Sequence, residues 1–161
     1  MKPTPQLAAA EFAQIAKGFC EWCEGSEFSV PADVTASVWL ARLHSAALAL
    51  PEVDSQSEDG LPPIPEAIAA RARLNLAAFD GFYYREYFNP APSLTDASGI
   101  GDVGDDLADT YKDVRAGLLL YESGQPVEAL WHWSFLHRVH WGRHVVGALF
   151  ALQCARSFSE E

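Results

Sequence analysis

Basic residues are scarce in this sequence: 11 Lys and Arg stand against 22 Asp and Glu, a formal net charge of −11. That balance excludes a nucleic-acid groove and an anionic membrane surface as partners, because both would repel the chain. No local cluster of Lys or Arg reverses it. Long apolar runs are also missing. Met1-Lys2-Pro3-Thr4-Pro5 leads into an Ala-rich amphipathic segment interrupted by Glu11 and Lys17. This segment has neither the unbroken core of a signal peptide nor the length of a membrane span, so a cytoplasmic protein is expected. Cysteine is sparse and odd in number, three in all, which argues against a disulfide framework. Cys20-Glu21-Trp22-Cys23 has the C-x-x-C spacing of redox and zinc sites. It falls, however, inside the helical period of Phe12, Ile15, Phe19 and Trp22, with no strand before it and no second ligand pair. Cys23 therefore reads as a small core residue.

What is present fits one globular domain spanning residues 1–161, with 49% hydrophobic and 20% charged residues. The periodicity predicts an all-α bundle of about five helices. The first covers residues 6–24. The second covers residues 31–50, with Ser29 as N-cap and Pro31 in the first turn. Its stripe Val34, Val38, Ala41, Ser45 and Leu48, with Trp39, Leu43 and Leu50 opposite, predicts a central, largely buried helix. Residues 51–64, acidic and containing several prolines, read as an exposed, mobile connection. A third helix at 65–79 carries Ile68, Ala72, Leu76 and Phe79 on one face. The aromatic run Phe82-Tyr83-Tyr84-Arg85-Glu86-Tyr87-Phe88 extends it or forms a short separate helix, which Asn89-Pro90 stops. The fourth helix, 105–122, closes at Ser123-Gly124, and the fifth runs over 126–155. No alternating strand pattern of useful length and no internal repeat is found.

Four of the five histidines lie on the fifth helix, in Trp131-His132-Trp133-Ser134-Phe135 and in His137, His140-Trp141-Gly142-Arg143-His144. On a regular helical wheel, Trp131, Phe135, Val139, Gly142, Val146 and Leu149 form a core stripe. Trp133, His137, His140, Trp141 and His144 gather on the other side. Four-residue spacing lets His140 and His144 share a metal ion, although the H-E-x-x-H signature is absent because Trp141 takes the place of the glutamate. The fourth helix divides similarly. Leu107, Tyr111, Val114, Leu118 and Tyr121 face the core, and Asp105, Asp106, Asp109 and Asp113 lie opposite. If the acidic and histidine sides meet, Asp106 and Asp109 join His140 and His144 around a divalent ion. The same residues equally suit a structural network in which Asp holds His, Arg143 or Arg85, or a plain solvated face. Trp133 and Trp141 require either cover from the bundle or a partner surface in which they act as anchors.

Gly99-Ile100-Gly101-Asp102-Val103-Gly104 spells G-x-G-x-x-G, but residues 89–98 read as a proline-containing loop rather than the strand a dinucleotide site requires. Asp105-Asp106 would also place negative charge where a pyrophosphate binds, so no nucleotide is expected and the glycines read as a flexible entry to the helix. Nucleophilic hydrolysis has no support, since a G-x-S-x-G elbow is absent.

Three blocks resemble a bacterial family of small helical proteins known only as a domain of unknown function. They are Tyr84-Arg85-Glu86-Tyr87-Phe88-Asn89-Pro90, Asp105-Asp106-Leu107-Ala108-Asp109-Thr110-Tyr111-Lys112-Asp113, and Ala129-Leu130-Trp131-His132-Trp133-Ser134-Phe135 with His140-Trp141-Gly142-Arg143-His144. The resemblance implies a helical fold and a bacterial source but no activity. It places Asp106, Asp109, His140 and His144 in the family pattern and leaves His137 outside it; at Asn89 the family more often has aspartate. The leading expectation is a non-catalytic protein that binds a protein or small molecule through Arg85, Trp133, Trp141 and Arg143, with room for a homodimer. The alternative is a metal-dependent enzyme using Asp106, Asp109, His140 and His144.

Overall fold

The structure, a computed structural model, describes residues 3–25, 32–93 and 95–158. The expected N-cap Ser29 and first-turn Pro31 lie outside the described residues. Helix α1 (Pro5–Glu24) starts where the Thr4 hydroxyl accepts the Leu7 N–H at 3.3 Å and Pro5 fills the first position. Its buried stripe, Phe12, Ala13, Ala16, Phe19, Cys20 and Cys23, alternates large and small side chains. This lets α1 pack against α4 (Val103–Glu122), α5 (Pro126–Leu136), α2 (Ala32–Leu48) and α3 (Glu66–Leu76).

The central position expected for α2 thus belongs to α1. Only Ala36, Leu40, Leu43 and Ala47 of α2 are buried, while Val38 and Leu48 are 51% and 69% exposed. The small Ala residues allow close approach to helix α6 (Gly142–Phe158), while Val38 and Leu48 on the second apolar side of α2 stay exposed among the described residues.

Helix α3 ends in a single 3₁₀ turn, Ala77–Phe79, and Gly81 at φ +77° turns the chain away. The aromatic run that follows is not helical. Tyr83–Glu86 forms strand β1, antiparallel to strand β2 (Gly99–Asp102), in the register Tyr83↔Asp102, Tyr84↔Gly101, Arg85↔Ile100 and Glu86↔Gly99. Tyr84 and Glu86 turn inward and Tyr83 and Arg85 outward. Four residues are too few for a strand period to stand out in a sequence, and the partner lies beyond a long loop. The segment read as a flexible glycine entry is therefore a paired strand leading directly into α4. The α4 N-terminus is filled from within the chain: the Asp102 carboxylate accepts the Gly104 N–H at 2.8 Å and the Gly81 N–H at 2.9 Å.

Helix α4 buries Leu107, Tyr111, Val114 and Leu118 and ends before Gly124, at φ +84°. The fifth predicted helix is continuous in direction but irregular. A π turn, His137–Trp141, joins α5 to α6. At its end the Gly142 N–H reaches the His137 carbonyl, and a Cβ on Gly142 would collide with that same carbonyl.

The connection at residues 51–64 is mostly exposed, but it is fastened near its middle to α5. Glu128 accepts the Ser55 hydroxyl at 2.8 Å and the Gln56 N–H at 2.7 Å. No helix among the described residues is long and apolar enough to cross a membrane.

A candidate metal centre between α4 and α6

The π turn decides which side chains face the site. A π turn holds one more residue than an α turn, so the buried face after it is advanced by one position. Trp133, at 0% exposure, is followed in the core by Trp141, also at 0%, and then by Val145, Ala148 and Leu152. The wheel drawn for a regular helix fails on both sides of the turn. Before it, Trp133 is buried although placed opposite the core stripe, while Trp131 and Phe135 on that stripe are only partly buried. Val139 and Val146, placed on its core stripe, are 56% and 49% exposed. Trp133 and Trp141 are core residues, packed around Phe12, with indole N–H groups donating to the carbonyls of Val114 (3.0 Å) and Trp133 (3.2 Å). As surface anchors both are ruled out by this burial.

The same shift turns His140 and His144 toward α4, where Asp106, Asp109 and Asp113 occupy one face at three- and four-residue spacing. The His144 Nδ1–H donates to Asp106 Oδ1 at 2.7 Å, and the His140 Nδ1–H donates to Asp113 Oδ2 at 2.6 Å. His144 Nε2 then faces Asp109 Oδ2 at 3.7 Å. The two imidazoles lie 4.8 Å apart, 77° from parallel. Asp109, His140 and His144 each offer one ligand atom, and these atoms all fall within 4.8 Å of one another.

Asp106 does not present a free oxygen to this cluster. It is 5% exposed, and its Oδ2 accepts the Tyr84 hydroxyl at 2.7 Å while Oδ1 holds His144. Its place is behind the histidine, not beside a metal. Tyr84 reaches it through a gap between two glycines, since a Cβ on Gly101 or on Gly147 would collide with the phenol. Burial and then the Asp106 hydrogen bond push the Tyr84 hydroxyl far above its usual range, so it remains a donor. The Asp106 hydrogen bond also raises His144, against a partial opposing effect of burial. The other oxygen of Asp109 accepts a hydrogen bond from Lys112, 3.0 Å away and exposed.

The remaining predicted residues lie elsewhere. Asp105 is exposed. Arg143 sits 4.2 Å over the Phe88 ring and donates to the Tyr87 carbonyl at 3.4 Å, and Arg85 is exposed on β1. The acidic stripe therefore pairs with histidines and not with these arginines. His137 points away from the cluster to His44, with Nε2 and Nδ1 3.0 Å apart, and burial together with the His44 charge depresses it to about 4. His132 is buried, which lowers its pKa, and its Nε2–H donates to the Asp113 carbonyl at 3.0 Å. Two contributors were not assigned to the site from the sequence. Asp113 was placed on the acidic stripe, and its continuation of the 106–109 spacing opposite His140 could have added it. Tyr84 could not be placed, because its position depends on an unforeseen strand.

The fold and the site define a helical bundle with a carboxylate–histidine cluster clamped between its fourth helix and its last. The chain belongs to the family described as a domain of unknown function, DUF5063, whose model matches residues 4–157. It is similar in fold to the crystal structure of protein BF1032 from Bacteroides fragilis, at 22% identity and a TM-score of 0.69, over 91% of this chain and 93% of that one. No curated protein matches the sequence.

Proposed function

We propose that this protein binds a divalent first-row transition ion through Asp109, His140 and His144, and that the ion is the seat of metal-assisted chemistry. The observation behind this reading is the separate carboxylate partner of each histidine. Asp113 and Asp106 take the two Nδ1–H groups, which leaves each Nε2 as the atom with a free lone pair. Carboxylate-oriented imidazoles of this kind are the usual supports of metal sites, and the third donor, Asp109, lies on the open side of His144. The donor set of two nitrogens and one oxygen suits zinc or iron(II). Metal bonds of about 2.0–2.2 Å require the three donors to draw together by roughly an ångström. Asp109, hydrogen-bonded to an exposed lysine and not buried, has the freedom to do so. Three protein ligands leave at least one position for water or a substrate atom, as catalytic rather than structural sites do. The binding-surface alternative loses Trp133 and Trp141, its two aromatic anchors, to the core.

The test is elemental analysis of untagged protein purified without chelators or a nickel column, followed by zinc titration of chelator-treated protein. Close to one ion per chain is expected. His144→Ala and Asp109→Asn should lose it, and Asp106→Asn should weaken it by about 10–100-fold. A wild-type protein that takes up no ion, or a His144→Ala variant that retains full occupancy, would overturn the reading and leave the cluster as a clamp between helices.

A further inference from the structure

A groove of about 1100 Å³ lies on another flank of α6, with none of Asp109, His140 and His144 in its walls. Its apolar surface comes from Leu48, Trp131, Phe135, Val146 and Phe88. Leu48 and Phe88, at 69% and 72% exposed, hold large apolar surfaces in water. Concave, mainly apolar surfaces with a few fixed polar groups are the general form of small-molecule sites.

The charge on this groove is selective. Arg143 is pinned over Phe88 and by the Tyr87 carbonyl, yet no ion pair to a carboxylate is found for it among the described residues. That is unusual in a chain with twice as many acids as bases. Of the three acids in the groove's walls, Glu52 pairs with Arg138 at 3.4 Å, while Asp54 and Glu86 line it without an ion pair among the described residues. His44 and His137, hydrogen-bonded to each other, also line the groove and add polar ring edges.

We propose that this groove binds an amphipathic organic anion, its apolar body against Phe88, Trp131, Phe135 and Val146 and its carboxylate on the guanidinium of Arg143. A cationic ligand would meet Arg143 as a like charge, and a neutral apolar ligand would leave the pinned guanidinium unused. This site goes beyond the proposed metal centre and does not depend on it.

Calorimetric titration with octanoate, octanol and octylammonium, in EDTA so that no ion contributes, separates the possibilities. Octanoate should bind saturably at one site, about tenfold or more tighter than octylammonium, the scale of one charge-assisted hydrogen bond. Arg143→Gln should remove that preference while octanol binding is unchanged, and Val146→Glu, also at an exposed position, should reduce octanoate binding with the circular dichroism intact. Equal affinity for the three ligands, undiminished octanoate binding by Arg143→Gln, or no saturable binding would each overturn the proposal. Because the measurement excludes metal, a failed metal site would leave it standing, and the reverse also holds.

Discussion

Gly147→Ala sets two effects of opposite sign against each other, and the structure fixes which prevails. Gly147 lies inside α6, where alanine should stabilise the helix by about 1 kcal/mol. Its new methyl, however, would occupy the place of the Tyr84 hydroxyl, and the phenol is confined on a second side by Gly101. The Tyr84–Asp106 bond, 2.7 Å long and made to an acceptor that is 5% exposed, should be lost. A hydrogen bond to a charged group contributes roughly 1.5–3 kcal/mol, with burial of the stranded oxygen favouring the upper half. The net result is a destabilisation of about 1–2 kcal/mol, visible as a lowered urea midpoint. Tyr84→Phe should cost about the same without any collision. Adding Gly147→Ala to Tyr84→Phe should then be close to neutral or stabilising, because the hydroxyl it would displace is already gone. Four urea titrations complete the cycle. If Gly147→Ala alone raised the midpoint, the idea that Tyr84 is wedged behind Asp106 would be refuted.

Three further outcomes follow from other contacts. Trp141→Ala should cost about 3–5 kcal/mol, since it empties a fully buried site beside Phe12 and Trp133; thermal melting would show this, and an unchanged melting temperature would contradict the core placement. His137 is depressed from 6.5 to about 4, so between those values the unfolded chain binds more protons than the folded one, and stability should fall as pH drops through that window. After allowance for partial solvent screening the loss is about 1–2 kcal/mol; urea midpoints at pH 7 and pH 4.5 should show a smaller drop for His137→Gln than for wild type. Glu128→Ala removes both acceptors that fasten the 51–64 connection. Limited proteolysis should then nick that segment faster while the global unfolding free energy from urea titration falls by only about 1–2 kcal/mol, and unchanged cleavage would mean that the connection is held by other contacts.

The helical character of the chain was legible because its elements are long. α1, α3 and α4 fall within about two residues of the ranges their periodicity predicts. The Asp stripe of α4 and the His140/His144 pair were legible for the same reason: i, i+3 and i, i+4 spacings survive in any regular helix. What could not be read depended on non-local or irregular features. Tyr84 is brought to Asp106 by pairing with a strand beyond a long loop. The burial of Trp133 and Trp141 together follows from one π turn, and a wheel with a fixed angle per residue puts Val146 where Val145 belongs. In α2 the apolar pattern was real, but nothing in a sequence says which of two apolar sides its neighbours will cover.

The π turn at His137–Trp141 ties the fate of the core to that of the histidine cluster. One backbone irregularity sets the depth of Trp141 and the bearing of His140 and His144, so neither can be improved alone. Changes that regularise the helix, such as shortening it by a residue there, would give it better hydrogen bonds and rotate all of α6 by about 100° relative to α4. A more stable version of this helix in isolation would thus be a worse component of this protein. Attempts to raise its melting temperature should leave residues 137–142 untouched and look to positions such as Val38 and Leu74, whose side chains face water.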